Sequence, residues 1–282
     1  GAPPDLYAQL RARDGVEGVP KEAEEQIDKD LSRSACKALA GFVITSAHRH
    51  GLRRLLRAWV LHRPGVGYTQ GMSHAALVLL LLCGDSDADE AAAFSIFAAL
   101  VCSFEPDFFA PSLRGFQVEF DTLILLLERL RPPPPWLLDD ERAPAVRLGL
   151  FISMLKLLLS LWANTLPLDL LLHVWVYLTE ASVDTKDVSD ANLRVVVTLL
   201  RLSSARIFAE LLGAGDAVDA CLISEAVSAA TSLVAGEADP LAVVSGAVRL
   251  RLGDKQSTDV TRLRASARGA LETEDGRDED AG

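Results

Sequence analysis

The chain of 282 residues lacks the compositional marks of several protein classes. With 19 glycines and 13 prolines it is neither collagen-like nor of low complexity. Its four cysteines form no Cys-x-x-Cys pair and have no histidine partners at zinc-finger spacing. We expect buried, reduced thiols rather than disulfides or a zinc site at these positions, Cys36, Cys83, Cys102 and Cys221.

Long apolar runs are also missing. The most apolar region, 148–178, is interrupted by Lys156 and Asp169, so it falls short of the roughly 20 apolar residues that a membrane-spanning helix requires. The first residues have neither the basic start nor the apolar segment of a signal peptide. We therefore expect a cytoplasmic protein without a transmembrane segment.

Basic residues are outnumbered by acidic ones. The chain carries 28 Lys and Arg against 39 Asp and Glu, a net charge of −11, which argues against a nucleic-acid-binding protein. Much of the acidic excess lies in the last eleven residues, which a folded core has little reason to bury. We predict a folded domain over residues 1–253 and a flexible acidic extension over 254–282.

Alternating strand patterns and Asn-Gly hairpin signals are scarce, whereas helical spacing is common. Leu52, Leu55, Leu56, Trp59 and Val60 form one apolar stripe of a helix. A run of three valines, 195–197, is the best strand candidate, but it lies inside a longer apolar segment that favours a buried helix. The fold class is predicted to be all-α. Further helices are expected at 75–83, 90–104, 116–130, 145–163, 168–180, 190–212 and 217–235.

Motifs of self-contained enzymes are absent from the sequence. There is no Gly-x-x-x-x-Gly-Lys-Ser/Thr phosphate loop, no Gly-x-Gly-x-x-Gly, no His-Glu-x-x-His and no Gly-x-Ser-x-Gly. His48 and His50 could chelate a metal ion, but no third ligand lies nearby in sequence. We therefore expect no metal site.

One local segment, 48–63, is strongly basic and contains no acidic residue. Its arginines fall beside the apolar stripe, so they could simply form the solvated face of that helix. They could equally form a docking site for an acidic partner or a phosphate-bearing ligand. Both interpretations remain open for the candidate docking residues, Arg49, Arg53, Arg54 and Arg57.

Two short strings carry a more specific signal when they are taken together. In the first, Ile27 precedes Asp30 and Arg33, which form an i, i+3 pair on a helix, so the carboxylate can orient the guanidinium. The second, 67–72, reads Gly-Tyr-Thr-Gln-Gly-Met and places Gln70 between a Pro-Gly break and the next helix. Taken alone, the first string indicates only a surface salt bridge, and the second indicates a turn with a buried tyrosine.

In this order and about 37 residues apart, the strings resemble the TBC domain of Rab GTPase-activating proteins. Ile27, Asp30 and Arg33 match that family's Ile-x-x-Asp-x-x-Arg motif. Tyr68 and Gln70 match its Tyr-x-Gln motif, within a longer match that includes Gly67, Gly71 and Met72. The resemblance extends from about residue 7 to residue 212.

The resemblance implies a two-lobed helical domain, with an N-terminal lobe over about 1–115 that holds both motifs and a C-terminal lobe over about 116–253. It implies a GTPase activator rather than a self-contained enzyme, acting on a GTP-loaded Rab in vesicle trafficking and meeting endomembranes through that Rab. Because GTP and Mg²⁺ would belong to the partner, this chain would have no cofactor of its own.

The resemblance also implies roles for individual residues. Arg33 would act in trans as an arginine finger and Gln70 as a glutamine finger that orients the attacking water. Asp30 would brace Arg33, and Tyr68 would shape the loop, with Ile27 and Gly71 as further supporting residues. The alternative is a non-catalytic TBC-like scaffold that binds a GTPase without stimulating hydrolysis.

Overall fold

The computed structural model describes residues 5–31, 39, 41–84, 86–104, 107–130, 132–137, 142–183, 188–213, 218–250 and 256–279. Within these ranges the regular structure is helical and contains no strand, which confirms the all-α prediction. A short 3-10 helix, Pro135–Leu137, follows the proline run. The α-helices of the described ranges are α1 (Leu6–Glu17), α2 (Lys21–Leu31), α3 (Ser46–His62), α4 (Met72–Cys83), α5 (Asp87–Cys102), α6 (Arg114–Arg129), α7 (Ala143–Leu158), α8 (Leu168–Val183), α9 (Val188–Gly213), α10 (Ala220–Glu237), α11 (Pro240–Arg249) and α12 (Gln256–Glu279).

Side-chain caps determine where several helices begin. At the start of α3 the Thr45 hydroxyl accepts a hydrogen bond from the His48 backbone N–H, while the His48 ring accepts one from the Thr45 N–H. Ser86 and Asp89 form the same reciprocal arrangement at α5. His48, considered above as a metal ligand, therefore has a capping role.

The first compact unit comprises residues 1–113 and 155–175. Its core contains the apolar stripe of α3, in which Leu52, Leu55 and Leu56 are fully buried. Trp59 continues the stripe and meets Phe97 of α5 edge-on, with 5.5 Å between ring centroids. The core thus fixes α3 and the helices packed against it, which include α4. The loop that joins α3 to α4 therefore has both ends attached to helices of this core.

The second compact unit comprises residues 114–154 and 176–282. The long helix α9 packs against α10 and α11, and its three valines, 195–197, are buried. They are helical because they continue the buried surface of a 26-residue helix. The structure differs from the two continuous lobes that the sequence predicted, since 155–175 returns to the first unit. That return depends on contacts between residues far apart in the chain, which spacing does not reveal.

The C-terminal segment is helical where the sequence predicted a flexible extension. α12 packs against α6 within the second unit and buries Val260, Leu263 and Ala267. Its Arg264 guanidinium donates to the Glu119 carboxylate of α6, and both side chains are almost fully buried. The prediction of a flexible extension is therefore wrong for the stretch from Val260 to Ala267, which is helical and packed. The apolar residues recur at helical spacing, which the high charge of the segment conceals.

Two further expectations concern cysteines and membrane spans. Cys102 and Cys221 are exposed and Cys83 is half-buried, so the prediction of buried thiols is wrong for these three, while Cys36 lies outside the described residues. The three thiols lie in the first or last turn of a helix rather than on an apolar face. Within the described ranges, no single helix is long and apolar enough to cross a membrane. α10 and α11 pass that test only as a pair bent by 113°.

Candidate functional site

The loop between α3 and α4 carries the Gln70 motif. After α3, the Gly67 N–H donates to the Arg63 carbonyl oxygen at 2.9 Å and closes the turn predicted at the Pro-Gly break. Gly67 adopts a φ of +66°, a left-handed conformation that glycine enters without a steric penalty. Gln70 follows with its side chain exposed, just before Gly71, the N-cap of α4. The glutamine therefore lies at a loop-to-helix entry.

The first fixed point of this loop is Gly67. The buried indole of Trp59 donates from Nε1 to the Gly67 carbonyl oxygen at 2.8 Å. Because this donor is shielded from water, its loss would leave a buried polar group unsatisfied. The core of the first unit thus holds the start of the loop directly.

The second fixed point joins the two sequence motifs. The Tyr68 hydroxyl donates to Asp30 Oδ2 at 2.7 Å, and Asp30 is only 4% exposed near the end of α2. Burial raises the pKa of Tyr68 well above its usual range, and the Asp30 carboxylate adds to the effect. The phenol therefore stays protonated and continues to donate at any physiological pH.

The third fixed point immediately precedes the glutamine. The Thr69 hydroxyl donates to the carbonyl oxygen of Phe109 at 2.7 Å, and Phe109 itself is buried. The Met72 backbone N–H, in turn, donates to the Thr69 carbonyl oxygen at 3.2 Å. Thr69 therefore links the loop both to a distant part of the first unit and to the start of α4.

The fourth fixed point is Gly71, on the far side of the glutamine. Its φ is +106°, and a Cβ atom at this position would lie 3.0 Å from the carbonyl carbon and oxygen of Leu159. Only glycine combines this backbone conformation with so close an approach. Gly71 is thus required here for both reasons, although the sequence suggested only a supporting role.

Gln70 is the exposed residue among fixed neighbours. Its amide offers two N–H donors and one carbonyl acceptor, so it can orient a water molecule or bind a polar group outside the chain. A side chain presented from a fixed backbone loses less conformational freedom on binding than one presented from a mobile loop. The loop therefore presents an exposed amide from a backbone that is held on both sides.

The structure covers only part of the first motif. Ile27 is fully buried on α2, and Asp30 lies one residue before the helix ends at Leu31. Arg33 lies outside the described residues, so the predicted pairing of Asp30 with Arg33 remains a prediction. What the structure brings together is Asp30 of the first motif and Tyr68 of the second.

Two arginines of the segment 48–63 form ion pairs with neighbouring helices. Arg57 donates to the carboxylates of Asp14 and Glu24, and its side chain is only 17% exposed. Arg53 donates to Glu24 and Asp28, each at 2.9 Å. These arginines therefore join α3 to α1 and α2, which neither a solvated face nor a free docking patch would require.

The remaining two candidate docking residues have different surroundings. Arg54 donates to the buried carboxylate of Glu90 on α5, to which the Tyr7 hydroxyl of α1 also donates. Arg49 is exposed and lines an open groove of about 460 Å³ beside Leu31. It has no carboxylate partner among the described residues. Docking by any of these four arginines stays a prediction.

Several contributors to the site were not identified from sequence. Trp59 was assigned only to the apolar stripe, and the acceptor oxygens of Gly67 and Phe109 carry no sequence signal. The one available hint for Trp59 is its position five residues before Pro64, where the Pro-Gly break begins. In the described ranges no group of three or more His, Cys, Asp or Glu side chains is arranged to hold a metal ion.

Comparison with known proteins identifies relatives. A family model for the Rab-GTPase-TBC domain matches residues 15–208, more than two thirds of the chain. Growth hormone-regulated TBC protein 1-A of Danio rerio is 29% identical over 153 residues, 54% of this chain and 39% of that protein. Carabin of Mus musculus is 26% identical over 202 residues, 71% of this chain and 40% of that protein.

A third relative is TBC1 domain family member 2A of Mus musculus, 30% identical over 173 residues, which cover 61% of this chain and 18% of that protein. The range matched by the family model, 15–208, includes the loop of Gln70. In each case the chain spans less than half the length of the curated relative that it matches.

Proposed function

The chain belongs to the Rab-GTPase-TBC domain family, and from that premise we propose that it stimulates GTP hydrolysis by a Rab-type small GTPase. The observation that carries the proposal is the arrangement at Gln70. The side chain is exposed, while the loop around it is tied to the core through Trp59, Tyr68 and Thr69. Such a loop suits a residue that must act on a partner's reacting atoms.

The reaction to be accelerated is phosphoryl transfer from GTP to water. Negative charge develops on the γ-phosphate and on the leaving oxygen, so catalysis depends on positioning and on electrostatic stabilisation rather than on covalent chemistry. GTP and Mg²⁺ would be bound by the GTPase. This chain would supply only the side chains that complete the active site.

Gln70 would orient the attacking water. Its amide can accept a hydrogen bond from the water and donate one toward the phosphate, which sets the in-line geometry of attack. Small errors in that geometry slow the reaction strongly, since a displacement of about 1 Å can lower a rate about 100-fold. The hydrogen bonds of Gly67, Tyr68 and Thr69 would serve to limit such errors.

Arg33 would act as the arginine finger. A guanidinium is always ionised and can contact two phosphate oxygens at once, which a lysine ammonium cannot do. Such a residue contributes a factor of about 10³–10⁵ in rate, equivalent to roughly 4–7 kcal/mol. Because Arg33 follows Asp30 by three residues, Asp30 would orient it while also accepting from Tyr68.

The test is single-turnover GTP hydrolysis across a panel of purified, GTP-loaded Rabs. We expect the chain to stimulate at least one Rab strongly and Gln70→Ala to remove most of that stimulation. Gln9→Ala, which alters an exposed glutamine of α1 in the same unit, is the matched control and should retain full activity. If Gln70→Ala is folded and fully active, Gln70 does not orient the attacking water. If the parent binds a GTP-loaded Rab but stimulates none, the non-catalytic scaffold becomes the better account.

A further inference from the structure

A strained turn in the first unit contacts the residue that follows Gln70. After α7 the chain turns through residues 159–163, where Leu161 has a φ of +49° and Trp162 a φ of +70°. Both side chains are 1% exposed. Two consecutive non-glycine residues in the left-handed region are unfavourable, and they persist only where the surrounding structure holds them.

The turn is held by hydrogen bonds within the segment, which include those of the Ser160 hydroxyl, and by one indole from the next helix. The Trp175 indole of α8 donates from Nε1 to the Leu161 carbonyl oxygen at 2.9 Å. The Trp162 N–H donates to the Leu157 carbonyl oxygen at 2.9 Å, and the Leu166 N–H donates to the Trp162 carbonyl oxygen at 3.0 Å. Because Trp175 is itself buried, its N–H has little access to water as an alternative partner.

The turn meets the loop of Gln70 through backbone rather than through flexible side chains. A Cβ on Gly71 would lie 3.0 Å from the carbonyl group of Leu159 and 3.1 Å from the Ser160 nitrogen. Close-packed backbone transmits displacement instead of absorbing it. A shift of the turn therefore reaches Gly71, the residue bonded to Gln70.

We propose that Trp175 is a positioning residue for Gln70, acting through Leu161, the 159–163 turn and Gly71. The inference rests on the proposed function, because Gln70 is taken as the group that orients the attacking water. Removing the indole N–H would let the left-handed turn relax, and Gly71 would follow it. The exposed amide would then occupy several positions, only some of which favour in-line attack.

The decisive variant is Trp175→Phe, which keeps an aromatic ring in place and removes the donor. Its matched control is Trp136→Phe in the second unit, where another buried indole loses a hydrogen bond, here to Ser204 Oγ at 3.1 Å. On a Rab that the chain stimulates, we expect Trp175→Phe to lower kcat by about 10- to 100-fold. KM for the GTP-loaded Rab should stay within about twofold of the parent, because only positioning is lost. Trp136→Phe should change neither constant.

A second measurement does not depend on activity. Hydrogen–deuterium exchange of the peptide covering residues 66–74 should be faster in Trp175→Phe than in the parent, and unchanged in Trp136→Phe. If Trp175→Phe does not fold, Gly71→Ala tests the same contact from its other side. A folded Gly71→Ala protein with unchanged kcat would overturn the inference.

The outcomes separate the two proposals. If the chain stimulates no Rab, the proposed function fails, whereas the exchange rates still test the coupling between Trp175 and the loop. If the chain is active and Gln70→Ala is inactive, but Trp175→Phe has unchanged kcat and unchanged exchange, the positioning role is wrong. Reduced kcat, unchanged KM and faster exchange together would establish it.

Discussion

Tyr68 and Asp30, 38 residues apart in the chain, are joined by a hydrogen bond of 2.7 Å. The bond ties the loop that presents Gln70 to the helix that leads toward Arg33. Since Asp30 is almost fully buried, the phenol is one of the groups that stabilise its carboxylate. Two motifs that are unremarkable when separate thus form one connected structure.

Removing that hydroxyl should destabilise the domain. In Tyr68→Phe the buried Asp30 loses a donor, for which we expect a loss of about 1–3 kcal/mol in the free energy of unfolding. Urea denaturation of the parent and of Tyr68→Phe measures this difference in the free energy of unfolding. Tyr177→Phe, at a half-buried tyrosine of α8, is the control and should change stability by less than about 0.5 kcal/mol. Equal effects in the two variants would contradict a special role for the Tyr68–Asp30 bond.

The Glu90 carboxylate should make stability depend on pH. Burial opposes its ionisation, but hydrogen bonds from Arg54 and Tyr7 prevail and lower the pKa of Glu90 below its ordinary value of 4.5. A depressed folded-state pKa stabilises the protein above the unfolded-state value, and this contribution is lost as pH falls through the folded-state value.

Glu90→Gln should therefore be less stable than the parent at pH 7, and the difference should shrink below about pH 4.5. Denaturation curves at a series of pH values test this. Glu225→Gln on the exposed surface of α10 should match the parent throughout. A difference between parent and Glu90→Gln that stays constant down to pH 3 would show that ionisation of Glu90 is not involved.

If Arg33 acts as the proposed arginine finger, this position should not tolerate lysine. Arg33→Lys keeps the positive charge but loses the two-pronged donor, so its stimulated hydrolysis should be nearly as weak as that of Arg33→Ala, about 10³-fold or more below the parent. Single-turnover GTP hydrolysis on a responsive Rab measures both. Arg201→Ala, at an exposed arginine of α9, is the control. A lysine variant with near-parent activity would mean that charge alone suffices.

Arg57 should matter for stability rather than for docking. Arg57→Ala would remove the arginine that binds the largely buried Asp14 carboxylate and one of the two arginines that bind Glu24, so we expect a loss of about 1–3 kcal/mol. Arg49→Ala, four residues from Arg53 on the same helix but exposed, should change stability by less than about 0.5 kcal/mol. Thermal melts of the two variants decide the matter. If the two variants have similar melting temperatures, the ion pairs of Arg57 do not stabilise the protein.

The C-terminal helix should be required for a stable second unit. A chain ending at Gly253 would lose Arg264 and leave the buried Glu119 carboxylate without this partner, a change expected to destabilise by about 3–5 kcal/mol. A chain ending at Leu271, which removes only the acidic end, should melt close to the parent. If both truncations melt like the parent, α12 contributes little to stability.

Local pattern accounts for most of what was predictable. The stripe from Leu52 to Val60 identified α3 because side chains on one helix face recur at fixed spacing, whatever lies opposite them. The break before Gly67 and the position of Gln70 were also readable, since turn-forming residues act over a few positions. Val260, Leu263 and Ala267 have the same helical spacing. They lie in a highly charged segment, and that charge led to the prediction of a flexible extension.

The sequence by itself determined the all-helical class, the family resemblance and the place of Gln70 between a turn and the next helix, because each depends on neighbouring residues or on short motifs. Only the tertiary structure decided what holds Gln70 in place and what the arginines bind. The acceptors of Thr69 and Tyr68 lie about 40 residues away, and the Leu159 backbone that limits Gly71 lies 88 residues away. Contacts at that separation arise from the packing of whole helices, and no local spacing encodes them.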